Sequence, residues 1–329
     1  MRVPSVRVRR VTVTPLVLAA EVALIAASPL LTAIAAALSP FVGGRRPLRL
    51  LTIVLTYAVG HVAAVAACAL LWASGRGGEH GPHYAVLRWF VGGVARAALR
   101  VARVKITMHG SEAAEAALAA RERPLVVLSI HSGEGDSLLV LDHLMRRHQR
   151  RPRIVMHQLL ALDPFIDLVG RRLPNRFVDP RGGDIEREIE LMSHGLGGDD
   201  AVLIFPEGGN VTAERRKRAI ERLLHRGHHR EAERASAMGH LGAPRPGGAL
   251  AALEGAPDAD VVFFAHHGFP EGMRETWRTL PDPKTIEVEL WLVPAEEIPE
   301  GTAARIDWLF QWWAQLDVWV AARRSCRES

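Results

Sequence analysis

The first chemical signal in this sequence is a histidine and an aspartate five residues apart. His131 and Asp136 bound the segment HSGEGD, which directly follows the apolar stretch PLVVLSI (124–130). A short apolar run of this kind predicts a buried strand, and loops after the strands of an α/β sheet form the substrate crevice. Asp136 would lie in the first turn of the next helix and hold one ring nitrogen of His131 protonated. Because the other nitrogen can then accept a proton, the pair predicts a general base.

The glycines of this segment fit a site that a ligand approaches closely. Gly133 and Gly135 have no side chain to block a substrate, and backbone N–H groups at the helix start could bind an oxyanion. The spacing alone is not specific, because a second match runs from His194 to Asp199. That second match precedes a predicted strand and no helix directly follows it, so the context selects His131.

A second motif, FPEGG (205–209), follows another apolar stretch that predicts a buried strand. Glu207 would therefore point toward the same crevice as His131. Taken alone, a Pro-Glu-Gly tripeptide is more often a turn that begins a helix. Its place after a strand, downstream of the His131 motif, favours a functional role.

His131-x-x-x-x-Asp136 followed by FPEG at 205–208 resembles the glycerolipid acyltransferase family, typified by 1-acylglycerol-3-phosphate acyltransferase. The resemblance covers roughly residues 80–290. It implies that His131 deprotonates an acceptor hydroxyl, which attacks the thioester carbonyl of acyl-CoA or acyl carrier protein without an acyl-enzyme. It also implies that Glu207 and Gly208 shape the acceptor pocket.

The resemblance also points to arginines that would contact an anionic headgroup. In the family an arginine follows a short strand between the two motifs, and RFVDPRGGD (176–184) is the best match here. Arg181 is the first candidate, and Arg176 competes with it because Pro180 separates Arg181 from the strand. Arg245 is a further candidate, since its segment is similar to larger members of the family.

One family position differs in this chain. Many members have FPEGT followed by arginine, whereas Gly209 and Asn210 occupy those two places here. A cation that faces the phosphate would then be missing. Arg215 or Arg216, one helical turn later, could compensate.

The first 80 residues predict a membrane-associated helical hairpin. Two apolar runs, 16–41 and 48–74, each exceed the roughly 20 residues that a helix needs to cross a bilayer. A soluble hairpin is the alternative, and a cleaved signal peptide fits poorly because Glu21 interrupts the first run. Arginines precede both runs, which gives no topology bias, so spanning and monotopic insertion both stay open. Paired apolar helices are also similar to the family's membrane anchor.

From residue 81 onward the pattern alternates between strands and helices. This predicts an α/β domain over 81–329, with a mixed, mostly parallel sheet flanked by helices and a Trp-rich C-terminal helix. The resemblance implies that it is the acyltransferase domain. The expected strands are 104–110, 124–130, 153–157, 176–179, 200–206, 260–267 and 285–293, and the expected helices include 84–104, 111–121, 136–148, 184–194, 212–240 and 302–323.

Composition narrows the class of partner. The 329 residues carry a net charge of +5, which suits an anionic partner such as phospholipid. Aromatic residues make up only 6%, so base stacking on nucleic acid is disfavoured. The sequence contains neither a cysteine–histidine cluster nor a nucleotide-binding glycine motif, so no metal and no cofactor are expected.

The resemblance, together with these features, implies transfer of a fatty acyl group from acyl-CoA or acyl carrier protein to a lysophospholipid hydroxyl, as in 1-acylglycerol 3-phosphate, in phospholipid biosynthesis. The expected partners are a lipid membrane, the acyl-thioester donor and the lysophospholipid acceptor, with no nucleic acid. We expect the cell membrane as the location, with the catalytic domain on its cytoplasmic face. Two alternatives stay open: a glycolipid or another lysolipid as acceptor, and a non-catalytic lipid-binding protein.

Overall fold

The computed structural model describes residues 3–131, 133, 135–179, 182, 184–209, 212–270 and 272–328, with side chains up to residue 325. The strands are β1 (Val104–His109), β2 (Leu125–Ser129), β3 (Arg151–His157), β4 (Arg176–Val178), β5 (Asp200–Ile204), β6 (Asp260–His267) and β7 (Lys284–Val293). The helices are α1 (Val6–Val8), α2 (Thr14–Ala26), α3 (Ser28–Val42), α4 (Arg46–Ala73), α5 (His80–Val101), α6 (Glu112–Ala120), α7 (Asp136–Asp142), α8 (Pro164–Arg172), α9 (Ile185–Ser193), α10 (Ala213–His225), α11 (His229–Ala237), α12 (Pro246–Gly255), α13 (Met273–Thr279) and α14 (Thr302–Glu328).

The chain forms two compact units, and both are assembled from segments that are distant in sequence. The first unit comprises residues 1–105, 141–185 and 273–284. The second comprises residues 106–140, 186–272 and 285–329.

The second unit contains strands in the order β1-β7-β6-β2-β5. The central strand β2 pairs in parallel with β5 and with β6, so that Val127 lies beside Leu203 on one side and Val262 on the other. β6 and β7 pair antiparallel. Every residue of β2 is buried, as expected of a parallel strand with helices on both faces. The packing of α12 on β2 and β5 and of α14 on β6 provides part of that cover.

The first unit is mainly helical. α4 packs against α2, α3, α5 and α8. The parallel pair β3 and β4, with Met156 beside Phe177, completes the unit. β4 lies close against α8, because a Cβ placed on Gly170 would come within 2.5 Å of Phe177.

Ionisable residues inside the apolar N-terminal helices have partners within the same unit. His61 of α4 lies with Nδ1 2.8 Å from Glu21 and Nε2 3.1 Å from Asp163. The buried guanidinium of Arg9 bonds to Asp167 at 2.7 Å. Buried charges are costly unless they are paired. The contacts of His61 therefore explain how Glu21 and His61 are accommodated within the apolar runs. Together with the Arg9–Asp167 pair, they connect the N-terminal helices to α8.

Within the described part of the chain, one helix, α4, is long and apolar enough to cross a membrane. The segments Val6–Ala26 and Ser28–Val42 pass the same test together, although they are bent by 61° at the break between them. Length and composition therefore weakly indicate membrane association. A separate membrane part over residues 1–80, with the catalytic domain over 81–329, stays a prediction.

Most of the element pattern predicted from the sequence is confirmed. All seven predicted strands occur, three of the four register-defined pairs are parallel, and helices flank them. The mixed, mostly parallel α/β fold is therefore correct. The charged helical stretch expected over 212–240 consists of two helices, and Gly227 adopts φ +76° between them. Periodicity misses α8, α12 and α13, which are only 7 to 10 residues long and span too few turns to show it.

Candidate functional site

His131 and Asp136 form a direct pair in the second unit. His131 is the second residue after β2, and Asp136 is the first residue of α7. The ring Nδ1 lies 2.8 Å from Oδ2 of Asp136. Because an ionised carboxylate only accepts hydrogen bonds, Nδ1 carries the proton. The His131 side chain is 23% exposed and the Asp136 side chain 2% exposed, so the ring meets solvent while its partner is buried.

Backbone donors of the same loop hold the Asp136 carboxylate in place. Oδ2 also accepts from the N–H of Gly133 at 3.3 Å, and Oδ1 accepts from the N–H of Ser137 at 2.5 Å. Burial has the largest influence on this carboxyl group and opposes its ionisation. The hydrogen bond from His131, the electrostatic influence of the His266 and His131 rings and the Gly133 N–H nevertheless lower the pKa of Asp136. The N–H groups of Gly133 and Ser137 thus point at Asp136, whereas the sequence suggested an oxyanion as their ligand.

Gly133 has a structural reason to lack a side chain. A Cβ at Gly133 would lie 2.7 Å from Cβ of Phe269 and 3.0 Å from the carbonyl oxygen of Pro270. Gly135 adopts φ +96°, a conformation that glycine tolerates best. Gly133 therefore lies against the chain segment after β6, and close approach of a substrate stays a prediction.

Glu207 of the FPEGG motif is buried beside His131. Its Oε2 accepts the backbone N–H of His131 at 2.9 Å, and its Oε1 accepts Nε1–H of Trp313 at 3.3 Å. Burial raises the pKa of Glu207 to about 8, although the His131, Trp313 and Gly242 N–H groups oppose this increase. The carboxyl group therefore supports the backbone of the loop that carries His131. A direct role of Glu207 in binding substrate stays a prediction.

The two glycines of FPEGG lie against guanidinium groups. Gly208 adopts φ +71°, and a Cβ there would come within 2.9 Å of Nη1 of Arg245. A Cβ on Gly209, at φ +143°, would come within 2.9 Å of Nη1 of Arg215. Larger residues at these positions would displace both arginines. The glycine that replaces the threonine of many family members thus leaves room for Arg215.

Several positive charges converge near this loop. The N–H of Arg245 donates to the carbonyl of Pro206 at 2.8 Å, which ties Arg245 to the FPEGG motif. Partial desolvation, and then the positive charges of Arg222 and Arg215, lower the pKa of the Arg245 guanidinium. A bound anion would offset this mutual repulsion.

The other two candidate arginines belong to the region around β4. Arg176 begins β4 in the first unit, and its Nη1 donates to the carbonyl of Asn175 at 3.2 Å. Arg181 lies outside the described residues. The choice between Arg176 and Arg181 as an anion contact therefore stays a prediction.

The second unit also holds a cavity of about 430 Å³, lined in part by Glu186, Glu190, Glu254 and Leu250. Its lining contains none of the candidate site residues. Three glutamates against one arginine, Arg187, make it unfavourable for an anionic ligand, so we do not place the candidate site there.

Two neighbours of the site lie outside both sequence motifs. His266 of β6 is fully buried, with Nε2 3.8 Å from Oδ2 of Asp136, and Trp313 of α14 bonds to Glu207. Both come from the C-terminal part of the chain. The pairing of β6 with β2 could have indicated His266. The need of a buried tryptophan N–H for an acceptor could have indicated Trp313.

Comparison with known proteins agrees with this geometry. Residues 105–248 match the family model described as Acyltransferase. The matched range contains His131, Asp136, Glu207 and Arg245. No curated protein matches the chain. Residues 105–248 therefore form an acyltransferase domain and belong to the family of glycerolipid and 1-acylglycerol-3-phosphate acyltransferases.

Proposed function

We propose that this chain transfers a fatty acyl group from acyl-CoA or acyl carrier protein to a hydroxyl of a lysophospholipid, such as 1-acylglycerol 3-phosphate, in phospholipid biosynthesis. The observation that carries the proposal is the 2.8 Å contact between Nδ1 of His131 and the buried Asp136 carboxylate. Since Nδ1 is occupied and the ring is partly exposed, Nε2 is the nitrogen that can take a proton from a ligand.

The proposed reaction proceeds by direct transfer. Nε2 of His131 removes the hydroxyl proton of the acceptor as its oxygen bonds to the thioester carbonyl carbon, and the carbonyl π electrons move to oxygen. The tetrahedral intermediate then re-forms the carbonyl and cleaves the C–S bond. The leaving thiolate takes the proton from the imidazolium, and Asp136 stabilises that imidazolium between the two proton transfers. Neither motif contains a cysteine, in keeping with a reaction without an acyl-enzyme, and no further cofactor is needed.

An acceptor that carries phosphate is supported by the positive charge beside the FPEGG loop. Arg245 and Arg215 lie against Gly208 and Gly209, and a guanidinium can bind two oxygens of one phosphate. In this proposal Arg245 and Arg215 together replace the arginine that many relatives carry after FPEGT. Arg176 or Arg181 would supply a further contact.

Membrane association is part of the proposal, because both the lysolipid and the product partition into lipid. The apolar helix α4 and the exposed apolar side chains of α3 support it. We propose that these helices insert into the cell membrane and that the acyltransferase domain lies at its cytoplasmic face. Nucleic acid has no part in this function.

The direct experiment uses the full-length chain in phospholipid vesicles, supplied with acyl-CoA and 1-acylglycerol 3-phosphate. We expect release of free CoA thiol that depends on the lysolipid, and a diacyl product in the mass spectrum. His131→Ala should lower kcat roughly 100- to 10,000-fold, as expected from loss of a general base. The matched control is His194→Ala, because His194 begins the second HxxxxD match and its side chain is 56% exposed.

Each result separates one alternative. Product with a glycolipid, and none with the lysophospholipid, would move the acceptor to a sugar hydroxyl. Vesicle binding without thiol release for any acceptor would indicate a lipid-binding protein. Equal activity of wild type and His131→Ala would disprove the mechanism.

A further inference from the structure

A second histidine, His266, lies beside the candidate catalytic pair. β6 pairs in parallel with β2, with Phe264 beside Ser129, and the N–H of Ile130 continues the ladder to the carbonyl of Phe264. His266, two residues after Phe264, therefore lies level with His131, two residues after Ser129. Its side chain is fully buried.

The contacts of His266 determine which ring nitrogen is protonated. Nε2 lies 3.2 Å from the carbonyl oxygen of Ile130 and 3.8 Å from Oδ2 of Asp136. Both neighbours are acceptors, so Nε2 carries a proton and donates to Ile130. The longer distance to Asp136 is an electrostatic contact rather than a hydrogen bond. The same N–H therefore faces the residue that precedes His131 and the carboxylate that orients it.

The surroundings keep this imidazole uncharged. Burial, the largest influence, lowers the pKa of His266 despite the opposing charge of Asp136, and His131 lowers it further. The ring of Phe269 lies edge-on to it, 5.3 Å between centroids. A neutral ring in an apolar setting is a fixed N–H dipole that does not compete with His131 for the proton of the substrate.

We propose that His266 is a positioning residue for acyl transfer: its Nε2–H holds the Ile130 carbonyl and the Asp136 carboxylate in the orientation that aligns His131. This inference rests on the proposed role of His131. His266 does not touch the reacting atoms. It acts through Asp136, as an outer partner that fixes the tautomer and direction of the base.

The test compares side chains that keep or lose the N–H at the Nε2 position. His266→Leu removes it, His266→Gln replaces it with an amide N–H at a similar reach, and His266→Asn carries the same amide one bond shorter. We expect kcat of the Leu and Asn variants to fall roughly 10- to 100-fold, as for a misaligned base, with KM for the lysolipid unchanged. The Gln variant should recover most of the loss. His267→Gln, on the opposite face of β6, is the matched control and should behave as wild type.

A double-mutant cycle tests whether the effect passes through Asp136. In an Asp136→Asn background, His266→Leu should cost less than about 3-fold, because residues that act as one unit are not additive. Losses that multiply, or a Gln variant no better than the Asn variant, would overturn the inference. If His266→Leu does not fold, as judged by thermal unfolding, the Gln and Asn pair decides alone. Failure of the proposed function would look different from failure of this inference, because the wild-type chain would then release no thiol from acyl-CoA.

Discussion

The carboxyl group of Glu207 accepts the backbone N–H of His131 at 2.9 Å and thereby joins the two sequence motifs of the site. This bond lies just after the end of β2, in the loop that carries His131. The other carboxylate oxygen accepts the indole N–H of Trp313 from α14. Glu207 therefore ties the loop that carries the base to a helix from the end of the chain.

The pH dependence of stability should reveal the buried Glu207. Its pKa is raised from 4.5 to about 8 in the folded chain, so the folded state holds a proton that the unfolded state releases above pH 4.5. The contribution is fully present below pH 4.5, and it decreases as pH rises until it is lost above about pH 8. Thermal unfolding measured from pH 5 to 8 should therefore show a Tm that falls as pH increases.

Glu207→Gln is the matched variant for this prediction. It cannot titrate, so we expect a flatter dependence of Tm on pH over the same range. Its amide offers one acceptor where Glu207 receives donors on both oxygens, and one N–H left unsatisfied costs about 1–3 kcal/mol. The variant should therefore be less stable at pH 5. A Tm that falls with pH as steeply as in wild type would assign the titration to another group.

Asp136→Asn should impair turnover without unfolding the chain. The amide has a single acceptor oxygen, and a backbone N–H lies on each side of it. The Ser137 N–H at 2.5 Å binds that oxygen more closely than the Gly133 N–H at 3.3 Å does. The NH2 group therefore faces His131 and favours the tautomer with Nε2 protonated, which cannot act as a base. We expect kcat to fall on the order of 100-fold or more, with an unchanged KM.

Thiol release from acyl-CoA measures this effect. Ser137→Ala removes only the hydroxyl that lies 3.2 Å from Oδ1 of Asp136 and should stay close to wild type. If Asp136→Asn retained full turnover with a normal Tm, the aspartate would not set the tautomer of His131.

The charge beside FPEGG should determine the preference for a phosphorylated acceptor. Arg245→Ala and Arg215→Ala each remove a guanidinium that lies against Gly208 or Gly209. A lost charge-assisted bond of about 1.5–3 kcal/mol should raise KM for 1-acylglycerol 3-phosphate roughly 10- to 100-fold. KM for monoacylglycerol, which has no phosphate, should not change.

Arg218→Ala is the control for this charge effect. Arg218 lies on the same helix as Arg215, but it pairs with Glu214 in solvent, and both side chains are 65% exposed. It should leave KM for both acceptors unchanged. Equal increases in KM for the two acceptors in the Arg245 variant would show that these arginines do not bind the phosphate.

The parts of the site that are close in sequence could be predicted, and the parts brought together by the sheet could not. His131 and Asp136 flank the short loop between β2 and α7, so their spacing in the sequence is enough to predict their contact. Glu207 was found by its motif, but its bond to the backbone of His131 depends on the pairing of β2 with β5. His266 and Trp313 carry no local signal, because their partners are more than 100 residues away.

One missed helix did have a signal. Asp163 caps α8 through the N–H of Ile166, and Pro164 occupies its first position. An Asp-Pro start of this kind is a recognised beginning of a helix. α8 has only nine residues, and its apolar periodicity alone is too short to predict a helix. Only the Asp-Pro start indicates it.

Membrane binding should depend on the exposed apolar row of α3. Leu30, Ile34 and Leu38 follow each other at four-residue intervals, which places them on one helix face, and Phe41 is 87% exposed. A buried aromatic or aliphatic side chain contributes about 1.5–3 kcal/mol, so Phe41→Asp should weaken partitioning into phospholipid vesicles roughly 10- to 100-fold. Leu224→Asp is the control, because Leu224 is 47% exposed on the charged helix α10. Co-sedimentation with vesicles measures both variants, and Tm confirms that each is folded. If Phe41→Asp sedimented like wild type, α3 would not be the contact with lipid, because a charged side chain in the acyl layer would weaken binding.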